Sequence, residues 1–229
     1  MSFFWTKNAV KDVVRRHWSG RAATFDEGVT HAPQSPEQRA AWRERLQAWA
    51  GADAIDVLDV GCGTGFLALQ LASLSHRASG ADFSDAMLER ARAKAEQQSL
   101  NVRFDTADAE NLPYADASFD LVIERHVVWT LPDPTGALLE WRRVLRPGGR
   151  IILIEGLWSS PLRPRESIKS DYQAIHETLP LFDGATASEL ISVAETAGFS
   201  DAHSELLMDE QLWGGPVDRE RYALHARKA

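Results

Sequence analysis

Val57-Leu58-Asp59-Val60-Gly61-Cys62-Gly63-Thr64-Gly65 is the stretch from which the fold can be read. A short apolar run passes directly into a turn with glycine at every second position, and the pattern after it, Phe66–Ser75, is helical. A strand buried on both faces that turns through glycines into a helix opens an α/β sheet. Glycine lets the chain turn sharply and lets a ligand approach without meeting a Cβ. The helix start behind it offers unpaired N–H groups. Two common phosphate-binding uses fail on spacing. A dinucleotide fingerprint has its third glycine five residues after the first, and position 66 here is Phe. The Gly-Lys-Ser/Thr end of a phosphate loop is also missing. Asp59 would sit badly beside a diphosphate and suits a ligand that carries positive charge.

Working outward, the same rhythm repeats. Strands are expected over Ile55–Val60, Ala78–Asp82, Val102–Thr106, Phe119–Ile123 and Arg150–Glu155. Between them Ala86–Gln98 and Thr135–Leu145 read as helices. The alternation predicts a parallel sheet covered on both faces. Upstream, residues 7–18 and 36–50 are helical in pattern, with Ser35-Pro36 as a start signal and Trp42, Leu46 and Trp49 on one face. Ser19 to Gln34 reads as a loop. Downstream, residues 157–185 carry Pro161, Pro164, Pro180 and Gly184 around a helical patch at Glu166–Thr178, which suits a substrate wall better than a plain connection. Ala187–Ala197 is a helix, and Ala202–Met208 with Tyr222–Arg227 is a candidate antiparallel pair joined through Trp213-Gly214-Gly215-Pro216.

Composition excludes several classes. The 229 residues suit one α/β domain, and 44% hydrophobic with 25% charged residues excludes wholesale disorder. The net charge of −8 argues against a nucleic-acid partner, and a lone Cys62 excludes a disulfide framework. No run of 18 apolar residues is present, so no membrane partner is expected and the default reading is a cytoplasmic protein. Glu124, His126 and Glu155 lack any metal-ligand spacing, and no metal is expected. Eight tryptophans are many for this length; most fill cores, while several fall in segments that flank the glycine turn.

Five motifs in register now carry a resemblance. Asp59-Val60-Gly61-Cys62-Gly63-Thr64-Gly65 resembles the first motif of class I S-adenosylmethionine-dependent methyltransferases. Asp82 closes the second strand, and Phe83-Ser84-Asp85-Ala86-Met87-Leu88 resembles the family's D-x-S-x-x-M-L. Ala107-Asp108-Ala109-Glu110-Asn111-Leu112-Pro113-Tyr114 resembles D-A-E-x-L-P-F. Ser118-Phe119-Asp120-Leu121-Val122 and Leu145-Arg146-Pro147-Gly148-Gly149 resemble S-F-D-x-V and L-x-P-G-G. The match spans roughly residues 55–155 and is similar to the small-molecule branch that includes ubiquinone/menaquinone-biosynthesis enzymes.

The resemblance implies a Rossmann-like, doubly wound, mostly parallel seven-stranded sheet in the order 3-2-1-4-5-7-6 with the last strand antiparallel. It implies residues 1–50 as a helical lid and 51–229 as the core with a lid insertion near 157–185. Trp18 to Asp26 resembles the family's W-x-x-x-A-x-x-Y-D cover, with Phe25 at the usual Tyr. S-adenosylmethionine, leaving as S-adenosylhomocysteine, would then contact Asp59, Gly61, Cys62, Gly63, Thr64 and Gly65. Asp82 would take the ribose diol, and Phe83 and Met87 would pack on the adenine. Asp108, Ala109 and Glu110 would face the adenine edge, and Arg125 and His126 the methionine portion. Plainer readings stand beside these: Asp108 also suits a turn, Cys62 mere packing, and His17 and His176 a surface or structural place.

His126 is the one candidate catalytic residue; a cofactor neighbour, a substrate contact and a general base all remain open for it. The acceptor is expected to be small and flat, held by an aromatic lining drawn from Trp5, Trp18, Phe25, Trp129, Trp158, Tyr172, Phe182 and Trp213. A silent cofactor-binding sensor and an RNA- or protein-directed methyltransferase are the competing readings, and monomer and homodimer both remain open.

Overall fold

The computed structural model describes residues 5–28, 30–158 and 170–229. Its centre is one seven-stranded sheet in the order β3-β2-β1-β4-β5-β7-β6. The strands are β1 (Asp56–Val60), β2 (Arg77–Asp82), β3 (Arg103–Thr106), β4 (Phe119–Arg125), β5 (Leu145–Gly156), β6 (Phe199–Leu206) and β7 (Arg221–Lys228). The first five run parallel, and β7 runs antiparallel to both β5 and β6. This is the sheet that the sequence motifs imply.

Alternation along each strand sorts the apolar residues onto two faces. Leu58, Val122, Ile151 and Leu153 meet Leu138 and Trp141 of α5 (Pro134–Val144) and Leu190 of α7 (Ala187–Thr196). Val57, Leu121, Ile123 and Ile152 meet the opposite layer, built from α2 (Pro36–Ala50), α3 (Phe66–Ser73) and α4 (Asp85–Gln97). Helix starts follow local chemistry: Ser84 caps α4, Asp133 with Pro134 opens α5, and Thr186 with Glu189 forms a capping box on α7. A third apolar cluster lies apart from the sheet. It joins Val10, Val13 and Val14 of α1 (Lys7–Arg21) to Trp129 and to Tyr172 and Ile175 of α6 (Ser170–Ile175).

Several elements differ from the sequence reading. α1 continues to Arg21, so Ser19, Gly20 and Arg21, read as the start of a loop, are helical, and β5 begins at Leu145 rather than Arg150. β4 continues two residues past Ile123, because the Arg125 guanidinium lies on the Phe66 ring at 4.5 Å and on Trp42 at 5.3 Å and so tolerates burial. The last two strands are joined through a short helix, α8 (Glu210–Trp213), whose Trp213 is buried against Trp42. The helical patch expected at Glu166–Thr178 is α6 followed by a 3-10 turn over His176–Thr178; its first four residues lie outside the described residues.

Candidate active site

The C-terminal ends of β1, β2, β4 and β5 share one rim, and a cavity of 320 Å³ opens above it. At its floor the glycine turn has left-handed backbone at Gly61 (φ +62°), Gly63 (φ +53°) and Gly65 (φ +85°). A Cβ at position 61 would stand 2.3 Å from a Val127 methyl, so only glycine fits there. The Gly63 amide donates to Asp82 Oδ2 at 2.9 Å, and the Ser84 amide donates to Oδ1 at 2.8 Å. Burial pushes the Asp82 carboxyl up to about 6, against the pull of those two amides. Asp59 is driven up to about 7 by burial, and its Oδ2 accepts the Ala68 amide inside α3. It braces the turn from behind and does not line the cavity.

A second wall comes from α1 and the segment after it, through His31. Phe25 and His31 stack with ring centroids 4.3 Å apart, and Phe25 lies over Gly63. Lys11 donates to Asp108 Oδ2 at 2.7 Å and reaches Glu110 Oε2 at the same distance. Ser19 and Ser84 hydroxyls meet at 2.8 Å; Asp26 accepts from Thr64 at 2.6 Å and pairs with Lys94 at 2.7 Å. Arg125 donates to the His31 carbonyl. The cover is therefore fastened to both ends of the rim by polar contacts.

The end of β4 is unusual. His126 has φ +64°, a conformation that costs a non-glycine residue about 1–2 kcal/mol. The turn is held by the His126 amide on the Ile154 carbonyl (3.0 Å), the Val127 amide on Glu124 Oε2 (2.8 Å) and the Val128 amide on Glu155 Oε1 (2.8 Å). Burial raises both carboxyls, Glu155 to about 8 and Glu124 well above its ordinary value with the Glu155 charge adding to the rise, so burial favours their protonated forms. Burial pushes the His126 imidazole well below its usual value, helped by Arg125 and Arg221. The ring is neutral, edge-on to Trp158 at 4.5 Å, backed by Trp213, and its buried Nε2 has no partner.

Of the residues read from sequence, Gly61, Gly63, Asp82, Phe83, Asp108, Ala109, Arg125 and His126 line this cavity, as do Trp18, Phe25, Trp129 and Trp158. Others support it from outside. Cys62, Thr64 and Met87 are buried behind the turn, Gly65 starts α3, and Glu110 anchors Lys11. Four aromatic candidates are misplaced. Trp5 is 39% exposed ahead of α1; Trp213 packs under α2; Tyr172 and Phe182 back the wall, where Tyr172 accepts a hydrogen bond from Trp18 Nε1 at 2.9 Å. Each was chosen for its segment; helix packing places Trp213 and Tyr172, whereas Trp5 stays exposed outside any helix and Phe182 lies in a turn. Conversely His17, read as surface or structural, lines the cavity together with Lys11, His31, Arg219 and Arg221, which sequence reasoning missed. The i, i+3, i+7 spacing of Lys11, Val14 and Trp18 was an available sign that one face of α1 turns to the site.

Acidic residues at the ends of β2 and β3, a glycine cradle after β1 and this strand order together define a class. A family profile for the methyltransferase domain matches residues 58–153, and the chain belongs to the class I S-adenosylmethionine-dependent methyltransferases. It is 36% identical over 147 residues to the ubiquinone/menaquinone biosynthesis C-methyltransferase UbiE of Bdellovibrio bacteriovorus, spanning 63% of this chain and 62% of that one. It is 35% identical over 147 residues to the phosphatidylethanolamine N-methyltransferase of Cereibacter sphaeroides, over 62% of this chain and 68% of the relative. Two demethylmenaquinone methyltransferases are spanned over only 48% and 46% of their length. The crystal structure of the [4+2]-cyclase SpnF shares the fold, with a TM-score of 0.71, 22% identity and 94% coverage of both chains.

Proposed function

We propose that this chain binds S-adenosylmethionine along the glycine turn and directs its methyl group to a small, flat, aromatic or heteroaromatic acceptor. One observation carries the reading: a single cavity joins Asp82, Asp108 and the glycine turn at one end to His126, Trp129 and Trp158 at the other. The donor set fits the cofactor. Asp82 presents a fixed carboxylate for a diol, the glycine turn gives bare backbone for the amino-acid tail, and Phe83 offers an apolar face. When bound, the cofactor supplies an electrophilic methyl on a sulfonium whose departure leaves a neutral thioether. The chain's part is then to orient and to exclude water, work for which alignment alone can contribute several kcal/mol. Trp129 and Trp158, tilted 57° to each other with ring centroids 6.3 Å apart, offer apolar surface to the acceptor, and the neutral His126 ring stands beside them. Within the 1–50 segment expected as a lid, α1 and the stretch through His31 act as the cover, through Phe25, His31 and the Lys11 ion pairs.

The relatives' names support a small acceptor, one a quinone-pathway carbon and one a lipid amine. A cofactor-binding scaffold is the second reading, since a cyclase shares the fold. Incubating the full chain with S-adenosylmethionine and a panel of aromatic phenols, amines and heterocycles, and measuring S-adenosylhomocysteine, separates the two. Transfer to at least one member is expected. Cofactor binding by calorimetry without product from any acceptor would favour the scaffold.

A further inference from the structure

At the acceptor end of the cavity stands a buried cation with which no carboxylate among the described residues pairs directly. Arg221, the first residue of β7, and Arg219, two residues ahead of it, line the same cavity as His126. The Arg221 guanidinium lies 4.3 Å from the Trp158 ring centroid, and its hydrogen bond to the Leu157 carbonyl is long at 3.5 Å. Among the described residues no carboxylate comes within 4.0 Å of it. Arg219 donates to the Trp158 carbonyl and reaches Asp218 only at 4.0 Å. Three buried nitrogens on neighbouring cavity residues have no partner: Arg219 Nε, Trp158 Nε1 and His126 Nε2.

A buried guanidinium without a counter-charge is costly, and its planar fork matches a carboxylate. Burial lowers Arg221 to about 10, with the Glu155 carboxyl pulling the other way, which leaves the guanidinium cationic and in no direct ion pair among the described residues. The cofactor's own carboxylate is the other possible source of a balancing anion, and strand order argues against it. β7 lies three strand spacings from β1, roughly 14 Å at about 4.8 Å each, whereas Arg125 on β4 is one spacing away.

We propose that Arg221 and Arg219, with the Trp158 indole N–H, form a carboxylate-binding subsite for the acceptor, so that the acceptor is a planar ring bearing an acid group. This rests on the methyltransferase reading for the word acceptor, and its test is read from binding and not from turnover. The full chain saturated with S-adenosylhomocysteine is titrated with quinoline-2-carboxylate, indole-3-carboxylate and their carboxamides, followed by tryptophan fluorescence. The acids are expected to bind about tenfold more tightly than the amides. Arg221→Met should remove that preference while S-adenosylhomocysteine affinity stays within twofold, and Arg221→Lys should restore part of it. Arg219→Met is scored on the same ratio should Arg221→Met fail to fold. A preference below threefold in the wild type, or no binding of either acid, overturns the subsite. A loss of more than tenfold in S-adenosylhomocysteine affinity in Arg221→Met overturns it too, by assigning the guanidinium to the cofactor. Absence of methyl transfer would sink the methyltransferase reading and leave these ratios untouched.

Discussion

Both carboxylate oxygens of Asp82 accept backbone amides, which fixes the plane of the group and leaves further lone pairs facing the cavity. With its carboxyl at about 6, Asp82 is ionised above that pH and protonated below it. A protonated carboxyl loses acceptor capacity, so S-adenosylhomocysteine affinity should fall as pH drops through 6, approaching about tenfold per unit. Calorimetry from pH 5 to 8 should show this break, and Asp82→Asn should bind weakly without it. Asp82→Ala should lose about 1.5–3 kcal/mol of cofactor binding, the scale of a charge-assisted hydrogen bond; wild-type affinity would refute the role. His126 makes a different case. Its imidazole stays neutral through the working range, so it gives no inflection near 6.5 and is a poor proton store. Asn tolerates the left-handed backbone at 126. His126→Asn should therefore raise the acceptor KM and lower kcat by less than about tenfold, whereas a general base would show a loss of about 10²-fold or more in kcat. Asp82 was legible because it closes an apolar strand beside a helix cap. Arg221 was not, because its place depends on a pairing with β5 across some 65 residues of chain.

Among the elements, α1 illustrates how far periodicity goes. Its apolar face, Val10, Val13 and Val14, was visible as a helix pattern, but the surface it covers is built from Trp129, Tyr172 and Ile175, which lie far away in sequence. Its polar fastening to the rim is also long-range: Lys11 reaches Asp108 and Glu110, and Ser19 reaches Ser84. These contacts are part-buried, with Lys11 and Glu110 at 19% and 9% side-chain exposure, and they join α1 to loops at the rim and to the cap of α4, not to the strands themselves. Deleting residues 1–30 should leave a cooperatively unfolding core with weakened cofactor binding and poor turnover. Circular dichroism with a product assay checks it, and full activity in the truncated chain would remove the lid from the account. The carboxyls Glu124 and Glu155 were weighed in the sequence only as metal ligands; burial raises both, and their oxygens hold the turn that carries His126.

On the scale of the molecule, the physical boundary within the first 50 residues falls between α1 and α2. Trp42 and Leu46 of α2 are fully buried in the sheet's own layer, Trp42 Nε1 donates to the Leu212 carbonyl at 2.6 Å, and Arg150 donates to the carbonyls of Trp49 and Ala50. Trp42→Ala should cost about 3–5 kcal/mol in a urea titration, the range for emptying a buried aromatic site. A cost below about 1 kcal/mol would return α2 to the lid. The strands β1, β4 and β5 were readable as apolar runs, whereas the sheet order came from the resemblance of the motifs. The final hairpin was readable only in outline, since β6 is mostly exposed and has no such run. The reversal of β7 has one more consequence. Parallel strands bring their last residues to the rim, whereas β7 brings its first, with Arg221 beside Gly156, and the rest of the strand is pinned on both sides by β5 and β6. The stretch at 214–220 can therefore be lengthened, shortened or exchanged without sliding any strand, which makes it the natural graft point for retargeting this scaffold to a different small molecule.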